Sequence, residues 1–260
     1  MTTQGYQLWT VPATRSYVIY CAGANSYKGA SSINSTGKIF QFSQTLTINH
    51  VIAIVVGQSG QTSTSTCGHT YASGGGGSFI YNVTTSTLLA ACGGGGGGCS
   101  SGGSTTFNYA ANSGTSGSAG QGNYQGGPFA GGTGGGGGTG ELGTLCGPPG
   151  GGGGGGYTGN GSGQLVAGNP QSFAGNSYTN GATGGSPPTP GREGGFGGGG
   201  SSGYYCGGGA GGYSGGGAGA FLTACNCTNG AGGGGGGGSY CITTPSITDV
   251  NNADGYVSIT

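Results

Sequence analysis

Nine cysteines are the residues best equipped for chemistry in this chain: Cys21, Cys67, Cys92, Cys99, Cys146, Cys206, Cys225, Cys227 and Cys241. Their first reading is a set of disulfides that hold segments lacking side-chain packing of their own. Cys92 and Cys99 flank Gly93 to Gly98 and are spaced to close an eight-residue loop. Spacing does not decide the connectivity, and the odd count leaves one thiol free or paired between molecules. Zinc is the alternative, but Cys225-Asn226-Cys227 is C-x-C rather than the C-x2-C knuckle and has no second knuckle. His50 and His69 have no nucleophile or metal partner near them in sequence, and read as hydrogen-bonded or exposed histidines.

Other chemistry is thinly supplied. Glu141, Glu193, Asp249 and Asp254 are the only acids and are too scattered to nominate a pair of glycosidase carboxylates. No G-x4-G-K-[ST] loop precedes Lys28 or Lys38, and no nucleophile elbow stands out. Arg192-Glu193 reads as a local ion pair. The expectation is therefore a protein that is not an enzyme, with no catalytic residue, cofactor or metal. Four sequons make Asn34, Asn82, Asn160 and Asn226 candidate glycosylation sites if the chain passes through a secretory route. Tyr204, Tyr205 and Tyr213 are candidate contact aromatics.

The elements that must carry these residues are extended. Tyr6 to Val11, Ser16 to Cys21, Lys38 to Phe42, Thr45 to Asn49, Val51 to Val56, Ser78 to Val83 and Thr87 to Ala91 are rich in aromatic and branched residues and read as strands. Gly255 to Ile259 alternates with period two and reads as a final strand. No segment has a capped apolar period of 3.6.

The middle of the chain is different. Of 260 residues, 76 are glycine, in runs such as Gly93 to Gly98, Gly134 to Gly138, Gly150 to Gly156, Gly197 to Gly200 and Gly232 to Gly238. Flexible linker is the default meaning of such runs. Here the runs adjoin aromatics such as Phe79, Tyr157, Phe196 and Tyr240, and are bounded by cysteines. Ordering glycine costs more backbone entropy than ordering any other residue, so something must offset it. Polyproline-II-type segments packed backbone to backbone would do so. Collagen is excluded, because there is no Gly-X-Y period and only 9 prolines.

Several segments taken together resemble a known family. Gln7-Leu8-Trp9-Thr10-Val11-Pro12-Ala13 followed by Ser16-Tyr17-Val18-Ile19-Tyr20-Cys21-Ala22-Gly23-Ala24 is similar to its opening strand pair, and Ala53-Ile54-Val55-Val56-Gly57-Gln58-Ser59-Gly60 to its next landmark. Gly74 to Gly77 before Ser78-Phe79-Ile80, Leu88 to Cys92 before Gly93 to Gly98, Gly181 to Gly185, Arg192 to Gly200 and Gly211 to Gly216 follow in order. Asp254 to Ile259 resembles the closing strand. The family is the glycine-rich extracellular region of the anaplastic lymphoma kinase and leukocyte kinase receptors, which glycine-rich virus and phage surface proteins also resemble. The resemblance implies an all-β fold: a tumour-necrosis-factor-like β-sandwich from residues 1–91 and 246–260, with residues 92–245 inserted as a bundle of polyproline-II-type glycine helices. It implies no kinase activity.

Four Lys and Arg balance four Asp and Glu, for a net charge of zero. Four positive residues cannot track a phosphate backbone, which excludes nucleic acid as a partner. Val51 to Val56 is far shorter than the roughly 20 residues of a membrane span, so no membrane insertion is expected. Met1 to Gly5 carries neither a basic nor an apolar leader. That fits prior processing, an excised segment, or assembly in a host cytoplasm and release within a virion. A surface so poor in charge has little protection from association. The expected function is a self-associating structural protein of an exterior assembly, an extracellular filament or a virion surface. The alternative is an adhesin or ligand-binding ectodomain recognising a receptor protein or a glycan.

Overall fold

A computed structural model describes residues 5–27, 35–64, 70–100, 107–121, 129–140, 150–163, 174–187, 192–203, 206–220 and 232–260. Thirteen strands are found among them: β1 (Tyr6–Thr10), β2 (Arg15–Ala22), β3 (Gly37–Leu46), β4 (Val51–Val55), β5 (Thr62–Thr64), β6 (Thr70–Ala72), β7 (Ser78–Asn82), β8 (Thr87–Cys92), β9 (Gly96–Ser100), β10 (Phe107–Tyr109), β11 (Tyr240–Cys241), β12 (Ile247–Asn251) and β13 (Tyr256–Ile259). They form three open sheets, ordered β1-β4-β7-β8-β11, β12-β3-β2-β13 and β10-β9-β6-β5. All the strand pairs are antiparallel.

Alternation explains how the first two sheets meet. Tyr17, Ile19 and Cys21 lie two residues apart on β2 and are buried, as are Phe40 and Phe42 on β3. Successive side chains of a strand point to opposite faces, so these five share one. Ile52, Ile54, Ile80, Ala90 and Cys92 of the first sheet join them in one core, with Trp9 packed at its edge. Ser78 ties the layers together: its hydroxyl donates to the Ala22 carbonyl at 2.6 Å and accepts from the Gly57 amide at 2.9 Å.

The expected strands at Lys38 to Phe42 and Thr45 to Asn49 are one strand, β3. It pairs without interruption with β2 from Ala22↔Ile39 to Arg15↔Leu46. The chain turns only after Leu46, where Asn49 takes a left-handed φ of 67° and the His50 amide donates to the Thr47 carbonyl. Asparagine tolerates that conformation better than most residues.

The all-β class is found, but the expected architecture is corrected. In place of a tumour-necrosis-factor-like sandwich with an inserted bundle of polyproline-II-type glycine helices there are three open sheets. The only helical element among the described residues is one 3-10 turn, Tyr178–Asn180. Part of the first glycine run is itself strand β9, paired with β6 and β10. Elsewhere the runs are bonded irregularly between distant segments: the Gly94 amide donates to the Gly211 carbonyl at 2.8 Å, and the Gly237 amide to the Gly94 carbonyl at 3.0 Å. Glycine has no Cβ to restrict which side of the chain a neighbour approaches. Backbone groups are therefore satisfied through whichever segment lies nearest, without a regular helix.

Candidate functional site

The first sheet has a second face, and register decides what lies on it. Tyr6 pairs with Val55, Val55 with Phe79, Phe79 with Ala91, and Ala91 with Tyr240. Because directly opposed residues of a sheet point the same way, these five form one row across all five strands. Leu8, Ala53, Tyr81 and Leu88 form the next row. Both rows face away from the core shared with the second sheet.

Three tyrosines from the glycine-rich part cover this face. Tyr178 packs over Phe79 with ring centres 5.1 Å apart, over Tyr6 at 5.4 Å and over Tyr81 at 5.9 Å. Tyr157 stacks on Tyr178 at 5.5 Å, Tyr213 on Tyr157 at 6.3 Å, and Tyr240 on Tyr213 at 5.1 Å. A continuous tyrosine array thus runs from β1 to β11. Backbone bonds hold the cover in place: the Tyr178 amide donates to Gly156, Tyr157 to Tyr213, and Tyr213 to Gly238. The 3-10 turn carrying Tyr178 ends at Gly181, whose φ of 94° lets the chain reverse where a side chain would be strained. The Tyr6 hydroxyl donates to the Tyr178 carbonyl.

The array is neutral. Burial pushes the phenols of Tyr6, Tyr157 and Tyr178 above the ordinary tyrosine value, and neighbouring tyrosines add to the rise at Tyr157 and Tyr178. The cover stops short of the end of the sheet. Tyr6 is 45 % exposed, Val83 46 % and Leu8 68 %, leaving an apolar margin beside the array. Such an arrangement presents aromatic edges and aliphatic surface side by side.

Of the candidate contact aromatics, Tyr213 is within the array and half-buried, while Tyr204 and Tyr205 lie outside the described residues. Tyr6, Tyr81, Tyr178, Tyr157 and Tyr240 were not nominated by sequence reasoning. For the strand residues the signal was present: Tyr6 and Leu8, and Phe79 and Tyr81, alternate with the inward-facing Trp9 and Ile80. For Tyr157 and Tyr178, set in glycine-rich segments, no periodicity marks the side that turns inward.

The cysteines separate. Cys21, Cys92 and Cys241 meet in the core between the first two sheets, and Cys92 turns its thiol towards Cys21. Cys99 lies on β9 of the third sheet, and Cys206 makes an isolated parallel bridge to Gly232. Cys67, Cys146, Cys225 and Cys227 lie outside the described residues. Among the described residues no group of three or more His, Cys, Asp or Glu side chains is arranged to hold a metal ion.

Asn82 is buried, its amide 3.1 Å from His50 Nδ1 and its Oδ1 accepting from the Thr85 amide at 3.2 Å. Asn160 is exposed, and its Oδ1 accepts from the Ser177 amide at 2.8 Å and from Asn180 Nδ2 at 3.0 Å. Asn34, Asn226 and His69 lie outside the described residues. No helix among the described residues is long and apolar enough to cross a membrane. Scanned against protein-family models the sequence finds no match, and comparison with curated proteins finds none.

Proposed function

We propose that this chain is a non-enzymatic structural module of an exterior assembly, a filament or a virion surface, and that it associates with copies of itself through the outer face of its first sheet. The observation that carries this reading is the apolar margin formed by Tyr6, Leu8 and Val83 beside the neutral tyrosine array. In a chain with only eight charged residues, little electrostatic repulsion opposes the stacking of such margins. The density of backbone hydrogen bonds between glycine segments supports a stiff building unit.

Sedimentation velocity over a range of protein concentrations tests it. The wild-type chain is expected to associate, and Leu8→Glu to shift the distribution to monomer while leaving the thermal midpoint within a few degrees. A wild-type chain that stays monomeric at the highest concentration overturns self-association. Retention of such a monomer on a glycan array, lost with Tyr6→Ala, would instead favour the ligand-binding reading.

A further inference from the structure

Three thiols from three strands converge in the core between the first and second sheets. Cys92 ends β8, Cys241 ends the edge strand β11, and Cys21 comes from β2 of the opposing sheet. The Cys92 thiol donates to the Cys21 carbonyl at 3.0 Å. The Cys21 thiol donates to the carbonyl of Ser78 at 3.6 Å, and Ser78 is the cross-strand partner of Cys92. Each thiol thus reaches across the gap between the sheets to the backbone beside the other cysteine. Cys241 pairs with Ala90, and therefore sits one pleat along from Cys92 on the same face of the sheet.

The three differ in access. Cys21 and Cys92 are fully buried, whereas Cys241 is half-buried. Cys241 opens onto a cleft of about 470 Å³ whose walls include Phe40, Ser113, Thr115, Thr243 and Pro245. Small polar side chains and exposed backbone on one wall suit a short peptide-like molecule.

We propose that Cys21 and Cys92 form a redox-dependent cystine between the two sheets, and that Cys241 is the entry thiol through which a small disulfide of the glutathione type oxidises them. The Cys241 thiolate attacks one sulfur of the incoming disulfide, forming a mixed disulfide and releasing one thiol. The Cys92 thiolate then attacks the Cys241 sulfur and releases the second thiol. Finally Cys21 attacks Cys92, forming the inter-sheet bond and returning Cys241 to its thiol. Two protein thiols lose two electrons and two protons, and the small disulfide is reduced to two thiols. Closing the bond requires both thiols to leave these carbonyls and bring their sulfurs to about 2.05 Å. Burial lifts the thiols of Cys92 and Cys241 above their ordinary value, so little thiolate is present at neutral pH and each exchange quickens as pH rises.

The test uses the full chain, reduced and then exposed to oxidised glutathione, with thiols alkylated at timed intervals and peptides mapped without reduction. Trypsin releases Ser16 to Lys28 with Cys21 as its only cysteine but leaves Cys67, Cys92, Cys99 and Cys146 together on Ile39 to Arg192, so elastase subdigestion and fragment-ion sequencing locate the partner. The expected product joins this peptide to Cys92, preceded by a transient glutathione adduct on Cys241. Cys241→Ser is expected to slow the link at least tenfold without preventing it. Cys21 remaining fully alkylatable after oxidation, or joined to any cysteine other than Cys92, overturns the pair. An undiminished rate in Cys241→Ser overturns the entry role. Mapping of the wild-type chain decides the pair even if the variant fails to fold.

Discussion

A methyl group added at Gly154 measures how far this protein depends on contact between bare backbones. A Cβ there would lie 1.8 Å from the Ala210 carbonyl oxygen and 2.4 Å from its carbon, against 3.4 Å for ordinary contact. Both are main-chain atoms, so no side chain can swing aside, and the segments must separate by more than an ångström. Three bonds meet at this point: the Gly154 amide donates to Gly216 at 2.9 Å, Gly138 to Gly154 at 2.8 Å, and Gly216 to Ala210 at 2.8 Å. A buried polar group left without its partner costs about 1–3 kcal/mol. Allowing for partial relaxation, Gly154→Ala should destabilise the chain by roughly 3–6 kcal/mol. At about 2–4 °C per kcal/mol for a chain of this size, the calorimetric midpoint should fall by roughly 6–24 °C. Gly114→Ala is the control, because the nearest atom to its Cβ would be Asn112 Oδ1 at 3.8 Å. There the loss of unfolded-state freedom alone predicts a gain of about 0.4–1 kcal/mol. If Gly154→Ala melts within a degree or two of Gly114→Ala, close backbone contact is not what holds the glycine segments together.

Tyr178→Ala removes the ring that touches Tyr6, Phe79, Tyr81 and Tyr157, and should cost about 3–5 kcal/mol in chemical denaturation, as large aromatic truncations in cores do. Ser78→Ala leaves the Gly57 amide and the Ala22 carbonyl without their shared hydroxyl, an expected loss of about 2–4 kcal/mol in the same assay. Raising the pH should also unfold the chain. The phenol of Tyr178 is held above its ordinary value of 10.0, and burial pushes the Cys99 thiol from 9.0 up to about 12. A raised folded value means that the unfolded chain loses its protons first, so these contributions are complete below pH 9 and fall away as pH rises beyond it. Unfolding followed together with phenolate absorbance should show Tyr6, Tyr157 and Tyr178 ionising only as the fold is lost; ionisation of all 15 tyrosines near pH 10 with the fold intact would contradict this.

Much of the β framework is legible in the sequence because it depends on neighbours within a few residues. The alternation of Tyr17, Ile19 and Cys21 marks the buried face of β2, and the run Val51 to Val56 marks a strand at the centre of a sheet. The scarcity of charge is likewise plain before any folding is considered. Two-residue β11 and three-residue β5 and β6 escape such reading, since each is too short to display a period and exists only because a partner strand lies beside it. Glycine segments carry no side-chain pattern at all. Which carbonyl Gly94 or Gly154 meets, and which way Tyr157 and Tyr178 turn, is decided by segments dozens of residues away. The same is true of the thiols: Cys92 stands closest in sequence to Cys99, yet register and the meeting of two sheets bring it to Cys21. Local composition settles what a segment can become, while the approach of distant backbones decides what it touches.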